Sequence, residues 1–365
     1  MVITAQNEPG YRKLSLEGIE IHYAPVPYDN RYGFTQRTLS FFQFVLKSVK
    51  FAARHRDADL CYTISTPLTT GIAAILIKRW FKIPYIFEVG DLWPEAPIQM
   101  GFIRSAFLKR FLFRMEKAIY KNASEIVALS LPIQETIEKK IPGKTVHLLP
   151  NMADTAFYKP EVKSPALEKK FGVEGKFVVS YIGAIGLANG LHYFLDCAAA
   201  CQRQNQSIHF LLCGEGAMLE DLKQHAQKVS LDNLTFILFQ NREGIAEIMN
   251  VTDANFICYR PVNILETGSP NKYFDGLAAG KLTVINFGGW IREEVERERC
   301  GIYVDPKEPA DFSKKIKPFL NDPIQLKLYQ QAGRALAERK YSRRMLGENF
   351  YSLMAGAVEK VKEYS

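Results

Sequence analysis

Residues 269–281 read Ser-Pro-Asn-Lys-Tyr-Phe-Asp-Gly-Leu-Ala-Ala-Gly-Lys, a turn with a cation running into a short apolar helix. Pro270 favours a helix start, where the free N–H groups of the opening turn point outward. Gly268, Ser269 and Lys272 crowd that positive end, so an anion held there gains dipole, hydrogen bonds and a charge partner. Asp275 lies one turn in, within reach of a sugar hydroxyl. Residues of these types in this order suit capture of a nucleotide diphosphate without a metal. An ordinary capped helix is the plainer reading. The company of Lys272 and Asp275 in one turn favours the site.

The other candidates fall where strands are expected to end, which is where open α/β sheets gather ligands. After the apolar run 85–89 come Gly90, Asp91, Leu92, Trp93, Pro94 and Glu95. Glu88, Asp91 and Glu95 beside Trp93 are candidates to grip sugar hydroxyls or an acceptor nucleophile. After 177–182 comes a loop with Gly183, Ile185, Gly186, Asn189 and Gly190, whose glycines let a phosphate approach the backbone. Its spacing is not that of a dinucleotide fingerprint, which counts against a dehydrogenase. Gly214-Glu215-Gly216 follows 209–213, and Arg260 follows 255–259. No metal-ligand cluster, serine nucleophile elbow or Walker loop is present.

The elements that must position these residues alternate between apolar strand-like runs and helical stretches. Strands are expected near 2–4, 19–23, 60–65, 85–89, 126–129 and 146–149, then near 177–182, 209–213, 234–238, 255–259, 282–286 and 301–304. Several are apolar throughout, as strands buried on both faces should be. The alternation predicts a parallel, doubly wound α/β sheet twice over, with Pro150 to Pro160 as the linker. The expected division is 1–155, 156–340, and a C-terminal helix in 341–365 packing back on the first domain. At 365 residues and 47% hydrophobic content the chain suits two domains. No apolar run reaches spanning length, no signal peptide opens the chain, and the six cysteines form no metal-like pairs, so a reduced, cytoplasmic setting is expected.

The net charge of +8 is uneven. Residues 1–155 hold 20 Lys+Arg against 14 Asp+Glu, and the remainder 27 against 25. Two helices carry much of that excess. Across 39–56, Gln43, Lys47, Lys50 and Arg54 share a face; across 104–121, six cations oppose the single acid Glu116. Such helices suit an anionic membrane surface, with a solvated basic face as the alternative. No nucleic-acid-binding signature appears.

These landmarks, in this order, resemble the family 4 retaining glycosyltransferases of the GT-B fold, in the bacterial branch that builds O-antigen, capsule and exopolysaccharide. The matching residues are 87–95; Glu116 with Ile119, Tyr120 and Ala123; 128–130; Pro150-Asn151; 183–190; 214–216; and 269–281. The resemblance implies two Rossmann-like domains facing across a cleft, with a UDP-sugar or similar donor in the second and the acceptor in the first. Lys272 then offsets the leaving diphosphate, Asp275 holds ribose hydroxyls, and Gly183 and Gly186 face the phosphates. Gly214 lies near the nucleoside, and Gly268 and Ser269 near the phosphates or the sugar. Catalytic roles fall to Lys272, Asp275, Asp91 and Glu88. Donor contacts fall to Gly183, Ile185, Gly186, Asn189, Gly214, Glu215, Arg260, Gly268, Ser269 and Asn271, and acceptor contacts to Trp93 and Glu95. The implied activity is metal-independent retaining transfer, with no cofactor, to a lipid-linked or polysaccharide acceptor at the inner face of a membrane in cell-surface (lipopolysaccharide-type) glycan synthesis. A catalytically impaired binding subunit and a GT-B nucleotide-sugar epimerase are the alternatives. Three departures stand out: Thr267 replaces the first of two glutamates eight positions apart, with Glu266 adjacent; Asn189 replaces a lysine; and Gly90 replaces an arginine. About one opening βα unit of the first domain is expected to be absent.

Overall fold

The computed structural model describes residues 1–29 and 32–363. They form two compact units: Met1–Leu149 together with the chain from Asn349 onward, and Pro150–Glu348.

In the first unit, β4 (Cys61–Ile64), β5 (Tyr85–Val89), β6 (Glu125–Ala128) and β7 (Val146–Leu148) form a parallel sheet in that spatial order. Every residue of β6 is buried, and of β5 only Glu88 is not, as their apolar composition dictates. The last helix, Arg343–Glu363, lays Leu353, Met354 and Ala357 against Ile86 and Val127, and Lys360 pairs with Glu125. A second sheet holds β1 (Val2–Gln6), β2 (Arg12–Leu16) and β3 (Ile19–Pro25) in the order β1-β3-β2. β1 and β3 are parallel, while β2 runs antiparallel to β3 through a two-residue hairpin at Glu17-Gly18. β2 is a strand the apolar pattern does not announce, because all five of its residues are exposed. The strands of this unit therefore lie in two sheets rather than one. The helix Phe34–Ala52 packs Val45, Val49 and Ala52 against Ala73 and Ile77 of the helix Thr70–Phe81.

The second unit is one six-stranded parallel sheet of β8 (Phe177–Ile182), β9 (Ile208–Cys213), β10 (Leu234–Ile237), β11 (Ala254–Ile257), β12 (Leu282–Ile285) and β13 (Gly301–Tyr303). Its order is β10-β9-β8-β11-β12-β13, so strand order reverses between β8 and β11. At such a switch point the two crossovers leave in opposite directions, and a crevice opens at the carboxyl ends of the strands. β11 ends at Ile257, two residues earlier than its apolar run, where the Tyr259 N–H turns to donate to Asn286 Oδ1 at 2.9 Å. No helix among the described residues is long and apolar enough to cross a membrane.

Candidate active site

At the switch point β8 leaves the sheet through Gly183 and β9 through Gly214, with φ of +145° and +148°. Side-chain-bearing residues rarely adopt that backbone, Gly214 has no room for one, and a side chain at Gly183 would press on the end of Lys272. A Cβ on Gly214 would stand 1.9 Å from the Gly183 carbonyl oxygen, and a Cβ on Gly183 would stand 3.3 Å from Lys272 Nζ. The two turns thus meet backbone to backbone beneath the lysine.

Lys272 comes from the first turn of the helix Asn271–Ala278, with Pro270 as its N-cap. Its ammonium donates to the Tyr181 hydroxyl at 2.7 Å and lies 4.2 Å over that ring. The Tyr181 hydroxyl in turn donates to the Ala184 carbonyl at 2.7 Å, which fixes the seat. Burial without a carboxylate partner lowers the lysine from its usual value to about 8. Asn255 Nδ2 donates to the Lys272 carbonyl at 2.7 Å and so ties the helix start to β11. Just before the helix, Ser269 Oγ is buried with no partner among the described residues, and the Ser269 carbonyl accepts from Asn151 Nδ2 at 2.6 Å. An orphaned buried hydroxyl beside a helix N-terminus and a poised lysine is what an absent anion would satisfy.

Residues 1–152 match the family model described as "Glycosyl transferase 4-like domain", and residues 163–339 match "Glycosyl transferases group 1". The chain belongs to the group 1 glycosyltransferases. It is 22% identical over 337 residues to a probable glycosyltransferase, WbjE, of Pseudomonas aeruginosa, covering 89% of this chain and 81% of that protein. Among solved structures it resembles Anabaena HepE in complex with UDP and glucose, at a TM-score of 0.70 and 18% identity, covering 93% of this chain and 86% of that one. It also resembles a sucrose-phosphate synthase from Thermosynechococcus elongatus, at a TM-score of 0.75 and 16% identity, covering 97% and 88%. The fold is therefore GT-B, and the protein is a glycosyltransferase.

The remaining residues of this glycosyltransferase's second unit separate into those open to a ligand and those that build the loop. Asp275 is half-buried one turn beyond Lys272, and burial, with Asp154 nearby, lifts its carboxyl to about 6 against the pull of Arg242. Arg242 pairs with Asp154 and stacks at 3.8 Å on Phe157. Sequence reasoning missed this group and Tyr181. Arg242 had a readable signal, since it opens the helix Arg242–Val251 behind the Asn241 cap. Asn271 and Glu215 are exposed. Gly268 passes its carbonyl to Trp290 Nε1 at 2.9 Å.

Ile185, expected at the donor, is instead a core residue. Its side chain is fully buried, its N–H donates to the Glu215 carbonyl and its carbonyl accepts from Met218. Asn189 is buried too, and its Oδ1 accepts the Gly186 N–H at 3.2 Å, holding the loop closed. Arg260 braces Gly190 by donating its backbone N–H to Ala188. Thr267 folds back onto the Ile264 carbonyl at 2.8 Å, and Glu266 Oε1 accepts the Gly288 N–H at 3.3 Å.

In the first unit, Glu88, at the end of β5, accepts the Tyr62 hydroxyl, and burial raises its carboxyl above the usual range. Asp91 is exposed and Trp93 half-buried on the turn that follows. Glu95, expected to face the acceptor, is diverted. Lys140 binds it and Glu116 together, and burial lifts Glu116 to about 7.

Proposed function

We propose that this glycosyltransferase moves a sugar from a nucleotide-diphosphate donor, with retention of configuration and without a metal ion, to a lipid-diphosphate-linked or polysaccharide acceptor in cell-surface glycan synthesis. The observation that carries the reading is Lys272, held against Tyr181 beside the Gly183 and Gly214 turns. Negative charge develops on the diphosphate as the glycosidic bond breaks. A lysine already in place, the N–H groups of the first turn after Pro270, and the free Ser269 hydroxyl would meet that charge without rearranging. The likeness to HepE with UDP and glucose supports a donor of this class. On this reading Asp275 receives the ribose hydroxyls. Asp91 and Glu88 orient the acceptor hydroxyl, which attacks from the side the diphosphate leaves, so that positioning and leaving-group electrostatics supply the catalysis.

The test is Lys272→Ala assayed against a panel of nucleotide-sugars. It should lower kcat/KM by about 10²–10³, the loss typical of one oxyanion-type donor. Undiminished turnover would refute the phosphate role. Thr267, turned into its own loop where the first of two carboxylates is expected, supports the binding-subunit reading. Wild-type binding of UDP by calorimetry with no transfer to any acceptor would favour that reading.

A further inference from the structure

The helix Ala106–Asn122 shows water a face of unusual composition. It buries Glu116, Ile119 and Tyr120. At 3.6 residues per turn, Phe107, Arg110, Phe111, Arg114, Lys117 and Lys121 fall on the opposite side within an arc of about 120°, and all six are exposed. Phe107 is 82% exposed and Phe111 54%. No carboxylate shares that arc, since Glu116 is turned inward to Lys140. A merely solvated basic face has no use for two phenylalanine rings in water, whose exposure costs apolar hydration. The other basic helix, Phe34–Ala52, does not repeat the pattern. Its Lys47 turns in to the Pro25 carbonyl, leaving Leu39, Phe42 and Leu46 exposed beside Lys50.

We infer that the face of Phe107, Arg110, Phe111, Arg114, Lys117 and Lys121 lies flat on an anionic lipid bilayer. The occupant follows from complementarity. Rings at the headgroup–acyl boundary, flanked by cations over lipid phosphates and free of acids, suit a planar anionic surface with an apolar layer beneath. An acidic protein would satisfy the cations and leave the rings without partners. The inference deepens the reading of a lipid-linked acceptor and rests on it only for its purpose, because the surface chemistry stands whichever sugar moves.

Flotation of the full chain with phosphatidylcholine vesicles, with and without phosphatidylserine, tests it. Wild type should float with the anionic vesicles at low salt, stay behind with the neutral ones, and release at high salt. Phe107→Ser with Phe111→Ser should cut partitioning more than tenfold. Each of Arg110→Gln and Arg114→Gln should cut it about fivefold, as expected for a cation near such a surface. Thermal unfolding, and turnover on a water-soluble acceptor analogue, should be unchanged in all of them. Absence of wild-type binding, or binding that neither set weakens, overturns the proposal. Lys272→Ala should float like wild type, so failure of the transfer reading and failure of this one remain distinguishable.

Discussion

Lys272 and Asp275 are both displaced from their ordinary titration ranges, and in directions that bracket neutral pH. Lys272 is lowered to about 8 because burial disfavours its charged form, and Asp275 is raised to about 6 for the same reason. If the donor needs the ammonium and the carboxylate together, kcat/KM should climb as pH rises through about 6 and fall through about 8, since this parameter reports the free enzyme. Bound diphosphate favours the charged lysine, so the alkaline limb of kcat should lie at higher pH than that of kcat/KM. Asp275→Asn should erase the acid limb and leave the alkaline one. An intact acid limb in that variant would assign it to another group. At this scale the sequence shows the lysine and the glycines clearly, because turn chemistry and helix starts are local. It hides Tyr181, which reads as one more aromatic in an apolar strand although its hydroxyl seats Lys272. It hides the Arg242–Asp154 pair, whose partners lie 88 residues apart. It also misplaces Glu95, because nothing near that residue announces Lys140.

The helix that carries Lys272 and Asp275 has eight residues and cannot hold itself. Its outer side is anchored on Glu294, a buried carboxylate that accepts from the hydroxyls of Tyr273 at 2.9 Å and Tyr341 at 2.6 Å while Lys340 and Arg297 bind its other oxygen. One acid thus joins three helices: Asn271–Ala278, Trp290–Arg297 and the end of Pro323–Lys340. Glu294→Ala leaves two buried hydroxyls without their acceptor, while the Lys340 and Arg297 cations are exposed to water. It should cost about 1–3 kcal/mol of stability for each hydroxyl. Chemical denaturation measures that loss. In protein that remains folded, kcat/KM should fall while the alkaline limb near pH 8 persists, because Lys272 keeps its seat on Tyr181. A stability close to wild type would mean the helix is held elsewhere. The parallel strands were legible because burial on both faces demands apolar runs. β2 was not, because an exposed hairpin strand is specified by its turn, here Glu17-Gly18 with φ of 50° and 82°, and not by hydrophobicity.

For the molecule as a whole, a lysine buried for the proposed chemistry should be a liability for folding, and pH separates the two. Lys272 and Lys281 both lie in the second unit, and burial lowers each to about 8 from an unfolded value of 10.5. Between those values the unfolded chain binds more protons than the folded one, so stability rises with pH. Buried thiols, with an unfolded value of 9.0, oppose this from about pH 8 upward. Cys197, Cys201, Cys213, Cys258 and Cys300 are all raised by burial, so the unfolded chain loses those protons first and gains stability relative to the fold. Over pH 8–9 the lysine signature is therefore read as the difference between variant and wild type, each lysine contributing up to about 1.4 kcal/mol per pH unit. Lys272→Met removes the desolvation cost along with the Tyr181 hydrogen bond. It should stabilise the second unit at pH 7 by about 1–3 kcal/mol and lower the slope over pH 8–9 by about 1 kcal/mol per pH unit, while transfer is lost. Hydrogen exchange in peptides from β8 and β11, followed against pH, reads the second unit alone. Lys281→Met is the control: it should change the slope in the same direction and leave transfer intact, because Lys281 lies behind the helix, near Asp253 and the Asn250 carbonyl, and away from Tyr181. If Lys272→Met destabilised the unit instead, the lysine would be holding the fold together, and its low titration would say nothing about a diphosphate.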